Sequence, residues 1–114
     1  MTISTHVLDS ATGHPAAGVP VRLQRRSVDD TWETIAEAVT DADGGAGSLA
    51  EADTGDYRLT FDIDAYTPHS EHEGTQKAGF FPEISVTFRV AQAGAQHHVP
   101  LLLSPFAYSV YRGS

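Results

Sequence analysis

Two histidines, His6 near the start of the sequence and His98 near its end, carry the side chains best suited to chemistry. A histidine titrates near pH ~6.5, so it can accept a proton and return it at neutral pH. The last residues, from Tyr111 to Ser114, add a phenol, a guanidinium, a hydroxyl and a terminal carboxylate. The guanidinium of Arg112 would hold an anionic or carbonyl-rich ligand. Together these groups suit proton transfer, provided that the fold brings them together.

The residue types alone leave a second interpretation open, in which ordinary surface histidines stand beside a frayed tail. The other histidines are weaker candidates. His69 and His72 have an i, i+3 spacing that would hold a metal ion on a helix, but a solvated polar loop is the simpler interpretation. His97 alternates to the core side of its strand and is expected to be structural. The sequence therefore predicts no metal site.

Alternation of apolar and polar residues indicates the elements that position these side chains. It is clearest over residues 19–24, 57–63 and 84–90. A period of two places one face in a core and the other in solvent, which is typical of antiparallel strands. Turn signals separate the runs, and regularly spaced short strands predict a β-sandwich. We expect one domain over residues 1–114, with room for one short helix between 64 and 74.

Alternation also predicts which way the side chains near both ends of the chain point. Three inward-facing sets are expected: Ile3, Thr5 and Val7; Val99, Leu101 and Leu103; Tyr108 and Val110. His6, His98 and Tyr111 then point to the opposite face. They share one surface if the strands that carry them are neighbours, and alternation does not supply that relation.

The segment 98–103 is apolar on both faces after its histidine. A sandwich strand has only one face in its own core, so the second apolar face needs another cover. We expect a second subunit to provide it. The alternative is a loop or helix of the same chain.

Charge and composition argue against several classes of partner. The formal net charge is -8, and such a surface repels the phosphate backbone of nucleic acid. The first residues lack the basic start and long apolar stretch of a signal peptide, and no apolar run has the length of a membrane span. The absence of cysteine fits a reducing compartment. We expect a cytoplasmic protein without nucleic-acid or membrane partners.

Five segments of the sequence carry a family resemblance. They lie at residues 4–9, 13–21, 80–83, 98–106 and 111–114. The first two resemble the opening of the transthyretin-related family, and the last two are close to its signature. The Tyr-Arg-Gly-Ser ending resembles the 5-hydroxyisourate hydrolase branch, and the hormone-carrying transthyretins lack it. The resemblance covers essentially the whole chain.

The resemblance implies an all-β, two-sheet antiparallel sandwich of eight strands with one short helix. It also implies a homotetramer, a dimer of dimers with active sites in a central channel. The implied reaction is hydrolysis of 5-hydroxyisourate, the product of urate oxidation, at its N1–C6 bond. The product would be 2-oxo-4-hydroxy-4-carboxy-5-ureidoimidazoline. No cofactor is implied, because the attacked carbonyl is already electrophilic.

The roles of individual residues follow from the same resemblance. His6 and His98 match the two proton-transferring histidines of the family, and His98 is favoured as the base. Tyr111 matches a position that contacts the substrate. Ser114 is expected to orient a histidine or the attacking water, and Arg112 to order the tail by its charge.

One position departs from the family pattern. Gly45 stands where the family usually has an arginine that contacts the substrate. Losing such a donor typically costs ~10²–10³ in rate, and Lys77, Arg112 or a partner's arginine are the candidates to compensate for it. Gln96, where many relatives have a further histidine, is a smaller departure.

Gly45 leaves a second function open, a transthyretin-like tetramer that binds a small molecule with weak or no hydrolase activity. A third interpretation is a structural module, because segments like those at 18–21, 40–44 and 55–59 occur in carboxypeptidase-regulatory-like domains of surface proteins. Those domains need neither the 98–103 segment nor the polar ending. The sequence therefore favours the hydrolase.

Overall fold

The computed structural model describes residues 2–66 and 80–113, which form two β-sheets. The strands, in chain order, are β1 (Thr2–Asp9), β2 (His14–Pro15), β3 (Pro20–Arg26), β4 (Trp32–Val39), β5 (Gly45–Glu51), β6 (Gly55–Asp62), β7 (Glu83–Val90), β8 (His97–Leu103) and β9 (Tyr108–Val110). The predicted all-β, two-sheet class is confirmed. The described residues form nine strands rather than eight, and the shortest, β2, has two residues.

Within the described ranges the chain forms no helix. The short helix expected between 64 and 74 falls mainly on residues outside those ranges. Its first positions form a turn, in which the N–H of Tyr66 donates to the carbonyl of Ile63 over 2.9 Å. Accordingly, no helix in the described part of the chain is long and apolar enough to cross a membrane.

The first sheet has the order β2-β1-β8-β9, with β5 also paired to β1. β1 and β8 run parallel, which corrects the antiparallel arrangement predicted for this fold. A parallel pair needs a long connection, and here the chain between β1 and β8 forms the whole second sheet. The register aligns Ser4 with His98 and His6 with Pro100. Two segments that are distant in sequence therefore lie side by side.

The second sheet has the order β4-β3-β6-β7 and is antiparallel throughout. Its register opposes Leu23 with Leu59 and Phe61 with Ile84, and all four side chains are buried. More exposed residues alternate with them, as expected for strands that have one face in a core. The period of two predicted the buried face of these strands correctly.

The core lies between the two sheets. Ile3 and Val7 of β1 and Leu101 of β8 are fully buried, as the alternation predicted. Tyr108 was predicted to face the core, and this is wrong, because its side chain is 41% exposed. It lies in a three-residue strand that pairs with β8 on one side, and its ring packs edge to face on Phe81 at 5.1 Å.

Candidate active site

The parallel pairing of β1 and β8 brings the two candidate histidines together. Odd-numbered residues of β1 fill the core, so His6 points to the outer face of the sheet. In β8 the same alternation turns His98 to that face. Their ring centroids are 6.4 Å apart, and the rings meet edge to face. A small planar ligand bound here would lie within reach of two imidazoles.

The residues after β9 continue along β8 as far as His98. The N–H of Tyr111 donates to the carbonyl of Pro100 over 3.4 Å, and the N–H of Gly113 donates to the carbonyl of His98 over 2.8 Å. Main-chain hydrogen bonds therefore hold this part of the tail in place. Tyr111 and Gly113 lie on the same surface as both histidines.

A cavity of about 420 Å³ lies over this surface. It is lined by residues of β1, β8 and the tail, namely His6, Leu8, His98, Pro100, Leu101, Leu102, Tyr111 and Gly113. Its volume is typical of small-ligand sites, which combine apolar walls with a few convergent polar groups. Here the two imidazoles are such groups. The apolar walls strengthen any hydrogen bond that an imidazole makes to a bound ligand, because less water competes for it.

Ser4 contacts the ring of His98, and Gln96 contacts Ser4. The hydroxyl oxygen of Ser4 lies 2.8 Å from Nδ1 of His98, and Nε2 of Gln96 donates to the same oxygen over 3.3 Å. Ser4 was not among the site residues expected from the sequence, although the alternation of β1 turns it to the face of His6. The available signal was its outward alternation, and the missing information was the register that pairs Ser4 with His98.

The surroundings of His98 favour its neutral form. Burial lowers the pKa of His98 from its usual value, and the positive charge of a protonated His6 lowers that pKa further. Both effects favour the uncharged ring of His98 over the charged one at neutral pH. A neutral imidazole has one nitrogen that donates a hydrogen bond and one that accepts, so its action depends on which nitrogen carries the proton.

Gly45 lies directly opposite His6 in the antiparallel pairing of β1 and β5. Cross-strand partners point to the same face, so a side chain at position 45 would project beside His6. A Cβ placed there makes only ordinary van der Waals contacts, the nearest being 3.7 Å from Oδ1 of Asp41. The structure therefore leaves room at the position where the resemblance expects an arginine.

Asp41 places a carboxylate close to His6. It accepts backbone hydrogen bonds from Gly45 over 3.0 Å and from Asp43 over 2.9 Å. These two bonds hold the pKa of Asp41 below its usual value, and the charge of a protonated His6 lowers that pKa by a smaller amount. The site therefore has an ionised carboxylate, that of Asp41, close to His6. The second imidazole, that of His98, favours its neutral form.

Not every candidate from the sequence meets at this surface. Arg112 is exposed and does not line the cavity. His97 is buried, and its Nδ1 donates to the carbonyl of Ala95 over 2.9 Å, which suits a structural role. Four further candidates lie outside the described residues: His69, His72, Lys77 and Ser114.

Known proteins resemble this chain over nearly its whole length. The sequence profile of the HIUase/Transthyretin family matches residues 3–113. A 5-hydroxyisourate hydrolase from Caulobacter vibrioides is 43% identical over 116 residues, which cover 98% of this chain and 97% of that protein.

Two solved structures share the fold. Klebsiella pneumoniae 5-hydroxyisourate hydrolase matches with a TM-score of 0.81 and 34% identity, and the match covers 100% of both chains. Sea bream transthyretin in complex with thyroxine matches with a TM-score of 0.86 and 29% identity, covering 99% of this chain and 95% of that one. By its sequence and its fold, this chain belongs to the HIUase/Transthyretin family.

Proposed function

We propose that this chain is an enzyme of urate degradation that hydrolyses 5-hydroxyisourate. The observation that carries the proposal is the pair of imidazoles, His6 and His98, which face one cavity with ring centroids 6.4 Å apart. Hydrolysis by proton transfer needs such a pair, because one group takes a proton from water while another stabilises the charge that forms. Relatives named 5-hydroxyisourate hydrolase, at 43% identity from Caulobacter vibrioides and 36% from Mus musculus, support the same activity.

A binding protein without turnover is the less favoured function. The similarity to thyroxine-bound transthyretin and the glycine at Gly45 are the features that raise it. A pure binding site has no need for two imidazoles that share a cavity with the tail. The hydrolase accounts for these residues, and the binding protein does not.

The proposed reaction consumes one water molecule. One histidine takes a proton from water as the resulting hydroxide adds to the C6 carbonyl carbon. Negative charge develops on the carbonyl oxygen, and an N–H of the other histidine stabilises it. The N1–C6 bond then breaks, and the first histidine returns its proton to N1. No electrons are transferred, so the scheme requires no cofactor.

The tail residues would complete the site. Tyr111 lines the cavity, and at 55% exposure its ring is open to contact with the substrate. Arg112 is proposed to order the tail by its charge, and Ser114 to orient a histidine or the attacking water. Gly45 marks the position where an arginine would otherwise approach the substrate.

A second copy of this chain is the proposed cover for the site. Leu8 and Leu102 line the cavity and stay half-buried in the single chain, while Tyr111 is exposed. We propose a homotetramer, a dimer of dimers, built from one domain over residues 1–114. It would work in the cytoplasm without membrane or nucleic-acid partners, and the net charge of -8 supports the exclusion of nucleic acid.

Gly113→Ala should lower kcat by about 10–100-fold, because small displacements of a catalytic group cost up to that much. A Cβ at this position would lie 2.9 Å from Cδ2 of His98 and 3.3 Å from Cγ of Pro100, so the ring has to move. Initial rates measure the effect. The matched control is Gly47→Ala, which meets no atom within 4 Å and should keep the full rate. Equal rates for the two variants would refute the close approach of the tail to His98.

Adding ten residues after Ser114 should lower activity about tenfold or more, because the tail is held against His98 and its displacement moves the site. An extension of the same length before Met1 is the control. Size-exclusion chromatography should give the mass of four chains for both proteins. A fully active C-terminal extension would remove the proposed role of Ser114, and a single-chain mass would remove the tetramer.

A direct assay tests the function itself. Urate oxidase forms 5-hydroxyisourate from urate, and the ultraviolet absorbance of the product is followed with and without this protein. We expect the decay to accelerate in proportion to the protein concentration. A decay no faster than the spontaneous one would reject the hydrolase.

A further inference from the structure

Ser4 carries a buried hydroxyl group with two polar partners among the described residues. The side chain is 8% exposed, and its oxygen lies 3.3 Å from Nε2 of Gln96 and 2.8 Å from Nδ1 of His98. The amide nitrogen of Gln96 donates and does not accept hydrogen bonds. The oxygen of Ser4 is therefore the acceptor in that contact, and the hydroxyl proton needs another partner.

The proton of Ser4 decides the tautomer of His98. If Nδ1 of His98 carried a proton, the oxygen of Ser4 would accept one hydrogen bond from His98 and another from Gln96. Its own buried hydroxyl proton would then have no acceptor within the described ranges, whereas buried donors in proteins are almost always satisfied. With Gln96 donating to Ser4, this balance of donors and acceptors favours a Ser4 hydroxyl that donates to Nδ1 and a neutral ring that carries its proton on Nε2.

We infer that Gln96 and Ser4 are positioning residues that hold His98 as the Nε2–H tautomer. Because Nδ1 is engaged by Ser4, Nε2 is the ring nitrogen left for a ligand in the cavity. His98 then donates a hydrogen bond to the developing oxyanion, and His6 acts as the base. These two roles rest on the proposed function, whereas the tautomer does not.

The charges around the two rings support the same division of roles. Burial and the charge of a protonated His6 both lower the pKa of His98, so His98 resists a second proton. Asp41 is kept ionised mainly by backbone hydrogen bonds from Gly45 and Asp43, and it attracts a protonated His6. The ring that takes the proton from water thus has a carboxylate nearby. This assignment makes His6 the base, whereas the resemblance in sequence favoured His98. The sequence contains no decisive feature for either histidine.

The proton balance of the reaction closes under this assignment. His6 removes one proton from water as hydroxide adds to C6 of the substrate. Nε2–H of His98 keeps its proton while it donates a hydrogen bond to the oxyanion. When the N1–C6 bond breaks, protonated His6 gives its proton to N1. Both rings then return to their starting tautomers.

Nitrogen-15 NMR of histidine-labelled protein, at a pH where His98 is neutral, reads the tautomer directly. His97 provides an internal reference, because its Nδ1 is bonded to the carbonyl of Ala95, which only accepts. His97 must therefore carry its proton on Nδ1. We expect the opposite pattern, a proton on Nε2, for His98. A proton on Nδ1 of His98 in the wild-type protein would overturn the inference.

Gln96→Glu reverses the polarity of the contact with Ser4. A carboxylate only accepts hydrogen bonds, so it would accept one from the hydroxyl of Ser4 and leave the Ser4 oxygen to accept another from Nδ1–H of His98. We expect His98 to change tautomer and kcat to fall about 10–100-fold with little change in KM, the range known for residues that orient metal-bound histidines. The matched control is Gln92→Glu, the same change at an exposed position before β8. It should leave both the tautomer of His98 and kcat unchanged. An unchanged tautomer in Gln96→Glu, or equal kcat for the two variants, would overturn the inference.

The spectrum separates this inference from the proposed function. A protein that shows Nε2–H for His98 but does not hydrolyse 5-hydroxyisourate supports the tautomer and rejects the function. A protein that hydrolyses the substrate with His98 in the Nδ1–H form keeps the function and rejects the inference.

Discussion

Replacing either His98 or His6 with alanine should lower kcat for 5-hydroxyisourate hydrolysis by about 10²–10⁴-fold, the usual contribution of a positioned acid or base. Both rings face one cavity with centroids 6.4 Å apart, so each variant removes one of two groups that handle protons. Initial rates at saturating substrate measure the loss. Size-exclusion chromatography should show an unchanged assembly, because Leu8 and Leu102, the apolar residues proposed to meet the second copy, are unaltered.

A third histidine provides the matched control for these variants. His14→Ala changes an exposed residue of β2 that does not line the cavity, so it should keep the wild-type rate. The double variant of His6 and His98 should lose little more than the more severe single variant, because groups that act as a unit are not additive. Full activity in either single variant would remove that histidine from the site.

Gly45→Arg should raise the rate about tenfold or more, since a preorganised donor beside a developing oxyanion is worth ~10²–10³ in other enzymes. The new side chain would project beside His6, and its Cβ makes only ordinary contacts there. Part of the possible gain is offset by Asp41, whose carboxylate would pair with the arginine. Initial rates at low and saturating substrate separate tighter binding from faster turnover.

The control for Gly45→Arg carries the same charge elsewhere. Val28 is fully exposed in the turn between β3 and β4 of the other sheet, so Val28→Arg should leave the rate unchanged. A gain in both variants would indicate a general effect of charge on the acidic surface. No gain in Gly45→Arg would mean either that another group already has the role of the family arginine or that position 45 does not correspond to it.

The faces of the strands were predictable from sequence because side chains alternate with a period of two. That rule placed His6 and His98 outward and Leu101 inward, as the structure has them. It did not reveal that β1 and β8 are parallel neighbours, since pairing depends on tertiary packing and not on local pattern. The rule failed at Tyr108, where a short edge strand has too few neighbours to bury a ring.

The contacts between side chains in the site could not be predicted from the sequence, because they too depend on how the strands pair. The contact between Ser4 and His98 joins residues 94 positions apart, and only the register brings them together. The need for glycine at Gly113 comes from the approach of the tail to the His98 ring, a contact that no local motif encodes. Gly45 was identified by resemblance, and the structure adds its pairing with His6 and the space around it.

The decay of 5-hydroxyisourate at increasing protein concentration, for wild-type protein and for His98→Ala, tests the central claim most directly. The predicted result is a rate constant that rises linearly with wild-type concentration, with a slope about 10²-fold or more lower for the variant. A flat line for the wild-type protein, or equal slopes for the two proteins, would contradict the assignment of this cavity as the hydrolytic site.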